Sequence, residues 1–136
     1  EAHDRAAPAR APVVAGRARD DRVVLRLRRE EAPDAQHVRQ GDAVVLVDAL
    51  VPTGGTLYEC GVAREKLGAK SVSAFVAHGV FPQDAWLRFA RGGDRDVFDT
   101  FYVTNSIPTT TNKLPRDDVF TVIDLTARIV DDLDGF

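Results

Sequence analysis

The sequence has little of several residue types, and each shortage excludes a class of protein. A single cysteine, Cys60, excludes an internal disulfide. No apolar run approaches the roughly 18 residues of a membrane-spanning helix, so we expect no membrane association of that kind. Basic residues do not outnumber acidic ones, since the formal net charge is −3. A general nucleic-acid-binding surface is therefore not expected.

Length and composition are those of an ordinary one-domain globular protein. With 136 residues, 44% of them hydrophobic, the chain can bury roughly two-thirds of its unfolded surface. It contains no methionine and begins at Glu1, so we expect a processed, truncated or fragmentary chain. Residues 1–21 are predicted to be a linker or processed leader, and residues 22–136 to be the folded domain. We interpret Cys60 as a buried thiol in a reducing compartment, hence an intracellular protein, with cytoplasm and organelle (plastid or mitochondrion) both open.

Strand and helix patterns alternate along the chain, which predicts an α/β fold built on an open parallel sheet. Strands are predicted at 22–29, 44–47, 71–77, 101–103 and 120–123, and helices at 56–67, 83–90 and 124–133. The first long helix has an apolar stripe of Leu57, Cys60, Ala63 and Leu67. A strand, helix and strand of these lengths form a right-handed βαβ unit.

The stretch VVLVDALVPTGGTL (44–57) joins a strand, expected to be buried on both faces, to a helix start. The turn Thr53-Gly54-Gly55-Thr56 combines hydroxyls, unpaired backbone N–H groups and glycines that tolerate a positive φ. These features are typical of a phosphate site at a helix N-terminus. A structural interpretation is equally open, because Thr56 and Glu59 have the spacing of a capping box. The turn is neither a Walker A loop nor a G-x-G-x-x-G loop.

Two further features have both a structural and a functional interpretation. His78 follows the strand 71–77 and lies where ligands bind in parallel sheets, although a lone histidine is more often structural. Arginines are frequent from Arg17 to Arg29. They form either a solvated strand face or a basic arm that folds over a polyanionic substrate.

Four separated segments carry a resemblance to a known family. They are VVLVDALVPTGGTL (44–57), KSVSAFVAHGVFP (70–82), WLRF (86–89) and FYVTNSIP (101–108). In order and spacing they resemble the C-terminal half of phosphoribosyl pyrophosphate synthetase (ribose-phosphate diphosphokinase), most closely the class II type known from plants. The resemblance extends from about Arg17 to the end of the chain and implies a phosphoribosyltransferase-like (type I) fold.

The resemblance also implies a reaction, its ligands and its site residues. Diphosphate would pass from ATP to the anomeric hydroxyl of ribose 5-phosphate, with Mg²⁺ required. The loop of Thr53, Gly54, Gly55 and Thr56 would hold the 5-phosphate. Asp48 would accept a hydrogen bond from a ribose hydroxyl or orient a hydrated Mg²⁺. No residue of this chain is predicted to be a direct metal ligand.

The family's flexible catalytic arm carries a Lys-x-Arg pair, to which Arg17 and Arg19 are the nearest match. These two arginines would stabilise the charge of the transferred group.

Departures from the family pattern leave the activity open. Ala49 replaces the second of two adjacent acids, Pro52 stands where many members carry a polar or acidic group, and Arg17 stands for a lysine. The N-terminal half, which supplies the remaining ATP and metal contacts in the family, is absent. We therefore expect this chain alone to be inactive, and expect protein partners: other copies, a companion subunit or a larger assembly. The alternatives are a non-catalytic paralogue with a structural or regulatory role and, third, a stand-alone phosphoribosyltransferase.

Overall fold

The computed structural model describes residues 39–93, 95–116 and 118–135, together with the backbone of Val13–Arg17 and Arg22–Leu27. One six-stranded sheet has the strand order β1-β2-β3-β4-β5-β6. The strands are β1 Val13–Arg17, β2 Arg22–Leu27, β3 Ala43–Val51, β4 Ser71–Gly79, β5 Thr100–Thr104 and β6 Phe120–Ile123. Strands β2 to β6 run parallel, and β1 pairs antiparallel with β2 at the edge.

Three helices connect or follow these strands: α1 Gly55–Lys66, α2 Pro108–Thr111 and α3 Thr126–Asp134. The predicted open parallel sheet with flanking helices is confirmed. Strand β1 lies within the segment 1–21, for which no strand was expected, and α2 was not expected either. Residues 30–40 are a polar stretch that the sequence predicts to be a loop, and they fall largely outside the described ranges. In the part of the chain that the structure describes, none of the helices has the length and apolar character to span a membrane.

The core lies on one face of the sheet. In β3 and β4 the buried side chains alternate, and Val44 and Leu46 pair in register with Val72 and Ala74. On the opposite face Val45 and the other alternate residues are only partly buried. The expectation that β3 is buried on both faces is therefore not met within the described residues.

Helix α1 covers the buried face of the sheet through Leu57, Gly61 and Arg64. The predicted stripe was wrong at Ala63 and Leu67, which are exposed, whereas Leu57 is buried and Cys60 packs, partly buried, against the core. Gly61 lies on the buried face of the helix, where a Cβ would be 2.8 Å from side-chain atoms of both Val97 and Phe98. The close approach of this helix depends on the missing side chain, which a search for apolar residues overlooks.

Phenylalanines fill the space between α1 and the strand ends. Phe89 contacts Phe101 with 4.8 Å between ring centroids, and Phe81 and Phe98 lie within 6.0 Å of one or both of them. The segment Pro82–Arg88, predicted as a helix, instead forms short 3₁₀ turns. They are interrupted at Gln83 and Asp84, whose φ angles are 55° and 56°. This irregular path places Phe89 in the core and the preceding residues beside α1.

Candidate anion-binding site

The loop after β3 places the N-terminus of α1 at the carboxyl edge of the sheet. Gly54 precedes the helix in the left-handed conformation, with φ 76° and ψ 5°, and its carbonyl accepts the first helical hydrogen bond from Tyr58 N at 2.9 Å. The N–H groups of Gly55, Thr56 and Leu57 occupy the first turn, where a helix offers no internal acceptor. They are therefore available to an oxygen-rich ligand, and the helix dipole favours a negative one.

The capping-box interpretation of this loop is wrong. The helix begins at Gly55, so Thr56 is its second residue and not its cap, and both Thr56 and Glu59 are exposed. Among the described residues no side chain caps α1, and its first turn contains no acidic residue. An acid there would have competed with an anion for the same N–H groups. Of the two interpretations of the turn, the geometry retains anion binding.

Asp48 lies three residues before the end of β3, directly opposite Val76 of β4. Its side chain is partly buried, whereas the neighbouring Ala49 is exposed. Thr53 is exposed as well, whereas Gly54, the next residue of the loop, is buried. The chain thus places a carboxylate near the carboxyl end of β3 and a glycine-rich turn just beyond the strand. The predicted strand was too short, because it ended at Val47 and β3 continues through Asp48 to Val51.

The residues following β4 and β5 join the two strand ends. Ser106 Oγ donates a hydrogen bond to the carbonyl of Ala77 at 2.9 Å, and the Thr104 hydroxyl donates to the same carbonyl. His78 Nδ1 lies 2.8 Å from Ser106 Oγ. The Ser106 hydroxyl is thus within hydrogen-bond distance of both the Ala77 carbonyl and the His78 ring, and the imidazole tautomer sets which partner donates in the second pair. These contacts tie the end of β4 to the residues after β5, which fits the structural interpretation of His78.

Asn105 connects the end of β5 to the start of α3. Its Nδ2 donates to Asp124 Oδ1 at 2.7 Å, and its Oδ1 accepts from Leu125 N at 3.0 Å. Asp124 Oδ1 also accepts from Thr126 N at 2.8 Å. Hydrogen bonds from the Thr126 side chain and backbone, followed by that from Asn105, hold the pKa of the Asp124 carboxyl below its ordinary value.

An open cleft of about 680 Å³ lies between α2 and the end of β6, bordered by Asn105, Asn112, Arg116 and Asp124. It is separate from the glycine-rich turn, none of whose residues lines it. The cleft therefore does not bear on the anion site expected at the turn, which rests on the hydrogen-bonding geometry of the helix start.

A magnesium ion held by protein side chains alone does not fit the part of the chain that the structure describes. Among the described residues no group of three or more His, Cys, Asp or Glu side chains is placed to hold a metal. Mg²⁺ commonly keeps several waters and binds through one or two carboxylates together with substrate phosphates. Asp48 fits that role, as one acceptor for the water of an ion held mainly by its substrate.

The two arginines predicted to be catalytic fall at the limit of the described chain. Arg17 is the last residue of β1, where its backbone pairs with Val23, and its side chain is not described. Arg19 lies outside the described residues. Their catalytic role stays a prediction.

The sequence assigned no role to the 3₁₀ segment Pro82–Arg88, yet Phe89, the residue after it, packs directly against Gly54.

Comparisons with known proteins identify relatives. The chain is 42% identical over 95 residues to ribose-phosphate pyrophosphokinase 4 of Arabidopsis thaliana, covering 68% of this chain and 28% of the relative. It is 37% identical over 125 residues to ribose-phosphate pyrophosphokinase 4 of Oryza sativa subsp. japonica, covering 89% and 36%. No protein-family model matches the chain.

A solved structure, the phosphoribosylpyrophosphate synthetase of Mycobacterium smegmatis, aligns with 90% of this chain and 35% of its own, with a TM-score of 0.61 and 24% identity. The chain is thus a phosphoribosyltransferase-type α/β domain. Its sequence is related to those of the plant ribose-phosphate pyrophosphokinases, which match it over 68% and 89% of its own length. It spans 28% and 36% of the length of the two plant relatives.

Proposed function

We propose that this chain is the ribose 5-phosphate-binding part of a ribose-phosphate pyrophosphokinase, corresponding to the C-terminal half of the longer proteins. The observation that carries the proposal is the uncapped start of α1, which follows β3 and Asp48 with a left-handed Gly54 between them. In the proposed complex the first-turn N–H groups and the hydroxyls of Thr53 and Thr56 hold the 5-phosphate. The sugar lies toward Asp48, which accepts a hydrogen bond from a ribose hydroxyl.

The reaction we propose for the complete protein transfers the diphosphate of ATP to the anomeric hydroxyl of ribose 5-phosphate. Mg²⁺ would neutralise phosphate charge in that reaction, and Asp48 would orient one of its waters. Arg17 and Arg19 would add positive charge to the transferred group. The contribution of the present chain is positioning: it binds the phosphate end of the acceptor and thereby fixes the distance of the anomeric carbon from the nucleotide.

Nucleotide binding belongs, in our proposal, to a partner. The described residues contain no Walker A loop and no group of metal ligands, and the chain spans about a third of its plant relatives. We propose that an N-terminal half, or neighbouring copies in an oligomer, complete the ATP site, and that the chain alone is inactive. The protein would act inside the cell. Relatives named chloroplastic and mitochondrial leave both organelles open beside the cytoplasm.

A binding measurement tests the first part of the proposal. Ribose 5-phosphate should bind the isolated chain in calorimetry and, at 100 times its Kd, raise the free energy of unfolding by about 2.7 kcal/mol. Ribose without phosphate should bind much more weakly. Asp48→Asn, which keeps the size of the side chain and removes its charge, should weaken ribose 5-phosphate binding about 10- to 100-fold. Equal binding of ribose and ribose 5-phosphate would contradict a phosphate site at α1.

A reconstitution experiment tests the reaction itself. The chain is combined with the N-terminal half of a plant relative, ATP, Mg²⁺ and ribose 5-phosphate, and formation of AMP is followed. We expect AMP only when both halves are present. If no AMP forms from halves that are folded and associated, the chain is a non-catalytic member of the family, and its binding site serves a structural or regulatory purpose.

A further inference from the structure

The guanidinium group of Arg88 lies against the first turn of α1. A Cβ placed on Gly55 would be 3.3 Å from Nη1 of this arginine. The next residue, Phe89, packs on Gly54, since a Cβ there would overlap its ring and lie 2.6 Å from Cε2. The chain after the Pro82–Arg88 turns therefore forms one wall of the glycine-rich loop, and it brings a positive charge to the end of α1 where the first N–H groups lie.

Tyr58 holds this arginine in place. The Cζ of Arg88 lies 5.8 Å from the centroid of the Tyr58 ring, in the range of a cation–π contact. Tyr58 is itself packed against Phe89, with 6.3 Å between the ring centroids, and belongs to the same first turns of the helix as Gly55. A guanidinium stacked on a fixed ring has less conformational freedom to lose when it binds a ligand. A guanidinium carries five N–H donors in a planar fork, a geometry that matches the oxygens of a phosphate group.

The loop needs a cation from elsewhere to bind a dianion tightly. Residues 52–57 contain no charged side chain, so the loop provides only N–H groups, hydroxyls and the partial charge of the helix dipole. That partial charge is equivalent to about half an elementary charge. A phosphate monoester carries about two negative charges near neutral pH. Arg88 supplies a full positive charge at this turn, with the donor geometry that phosphate favours.

We propose that Arg88 binds the phosphate group of the sugar phosphate at the N-terminus of α1 and gives the site its preference for a dianionic ligand. The inference rests on the proposed function, because it assumes that this loop is the ribose 5-phosphate site. The alternative is a purely structural role, in which Arg88 only packs on Tyr58 and holds the Pro82–Arg88 turns against α1. The two roles differ in whether the charge of the arginine contributes to ligand binding.

The test compares ribose 5-phosphate affinity by calorimetry in the full chain carrying Arg88→Gln, Arg88→Lys or Arg95→Gln. Arg95 is the matched control: its Nη2 lies 2.8 Å from Oε2 of Glu65, near the opposite end of α1. We expect Arg88→Gln to weaken binding about 10- to 100-fold, and Arg88→Lys to weaken it less. The control should change the affinity less than about twofold, because it removes the same charge at a distance from the loop.

Two further measurements separate binding from structural support. Arg88→Gln should make the affinity less sensitive to NaCl, because one charge pair has been removed, whereas Tyr58→Leu should leave that sensitivity near wild type. Unfolding without ligand reports how much each variant destabilises the chain. If Tyr58→Leu and Arg88→Gln reduce affinity equally and leave the salt dependence unchanged, the arginine is only a support. If the wild type does not bind ribose 5-phosphate, the proposed function fails together with this inference. If the wild type binds and Arg88→Gln binds equally well, only this inference fails.

Discussion

Gly54 occupies a position that no other residue type fits, for two separate reasons. Its φ of 76° is in the left-handed region, which costs other residues about 1–2 kcal/mol. A Cβ there would also overlap the ring of Phe89. We expect Gly54→Ala to lower the free energy of unfolding by about 2–5 kcal/mol, the sum of backbone strain and overpacking, as measured by urea denaturation.

Gly92 provides the control for this substitution. Its φ is 74°, nearly that of Gly54, but nothing lies within 4 Å of a Cβ built there. Gly92→Ala should therefore cost only the backbone term of about 1–2 kcal/mol. Similar losses in the two variants would mean that Phe89 moves away freely, and that the contact between Phe89 and the loop contributes little to the position of the loop.

Ala49 is the residue at which the sugar side of the site departs most clearly from the family pattern. It is exposed at the strand end beside Asp48, so an aspartate there meets no steric obstacle. We expect Ala49→Asp to tighten ribose 5-phosphate binding about 10- to 100-fold in calorimetry, since a charged hydrogen bond contributes about 1.5–3 kcal/mol. Ala63→Asp, on the exposed side of α1, should leave the affinity unchanged. An unchanged affinity in Ala49→Asp would place the ribose hydroxyls away from this position.

At the scale of the elements, the sequence predicted what depends on local pattern. Strands β3 to β6 and helix α1 were predictable because continuous apolar runs, a helical repeat and a terminal glycine are properties of neighbouring residues. The face of α1 that is buried was not predictable, because Gly61 packs on Val97 and Phe98 through a missing side chain. The left-handed residues at Phe81, Gln83 and Asp84 were not predictable either. Such conformations persist because surrounding contacts hold them.

The same limit applies to the site. Asp48 and the Thr53–Thr56 turn are close in sequence, so their spacing made an anion site one of two open interpretations, beside a capped helix start. Arg88 reaches the turn only because the irregular 3₁₀ segment returns the chain to α1. Arg88 is more than thirty residues from the turn in sequence, so nothing in the residues around it indicates that it lies beside the turn. This part of the site depends on contacts between separate elements, which a local sequence pattern does not predict.

The junction of β6 and α3 depends on one carboxylate. Hydrogen bonds from Thr126 and Asn105 lower the pKa of Asp124 in the folded chain below its ordinary value of 3.8. Stability from this group is therefore fully present above pH 3.8 and is lost as the pH falls through the lowered pKa. Thr126→Val, which removes the hydroxyl and keeps the backbone N–H, should raise the pKa of Asp124 toward 3.8 in a carboxyl NMR titration. Thr109→Val, an exposed threonine on α2, should not change it; an unaltered pKa in Thr126→Val would assign the effect to the backbone and Asn105.

For the molecule as a whole, stability should come from the sheet and its covered face, while α3 contributes little. Every residue of α3 is exposed, including Ile129 at 52% and Leu133 at 66%, although these two lie on one side of the helix. We expect the double substitution Ile129→Gln and Leu133→Gln to change the free energy of unfolding by no more than about 0.5 kcal/mol, as surface substitutions do. Leu46→Ala, at a fully buried position of β3, should cost about 2–5 kcal/mol in the same measurement. A loss of that size in the α3 variant would show that the helix packs against the rest of the chain in solution, and that the covered face of the sheet is not the only source of its stability.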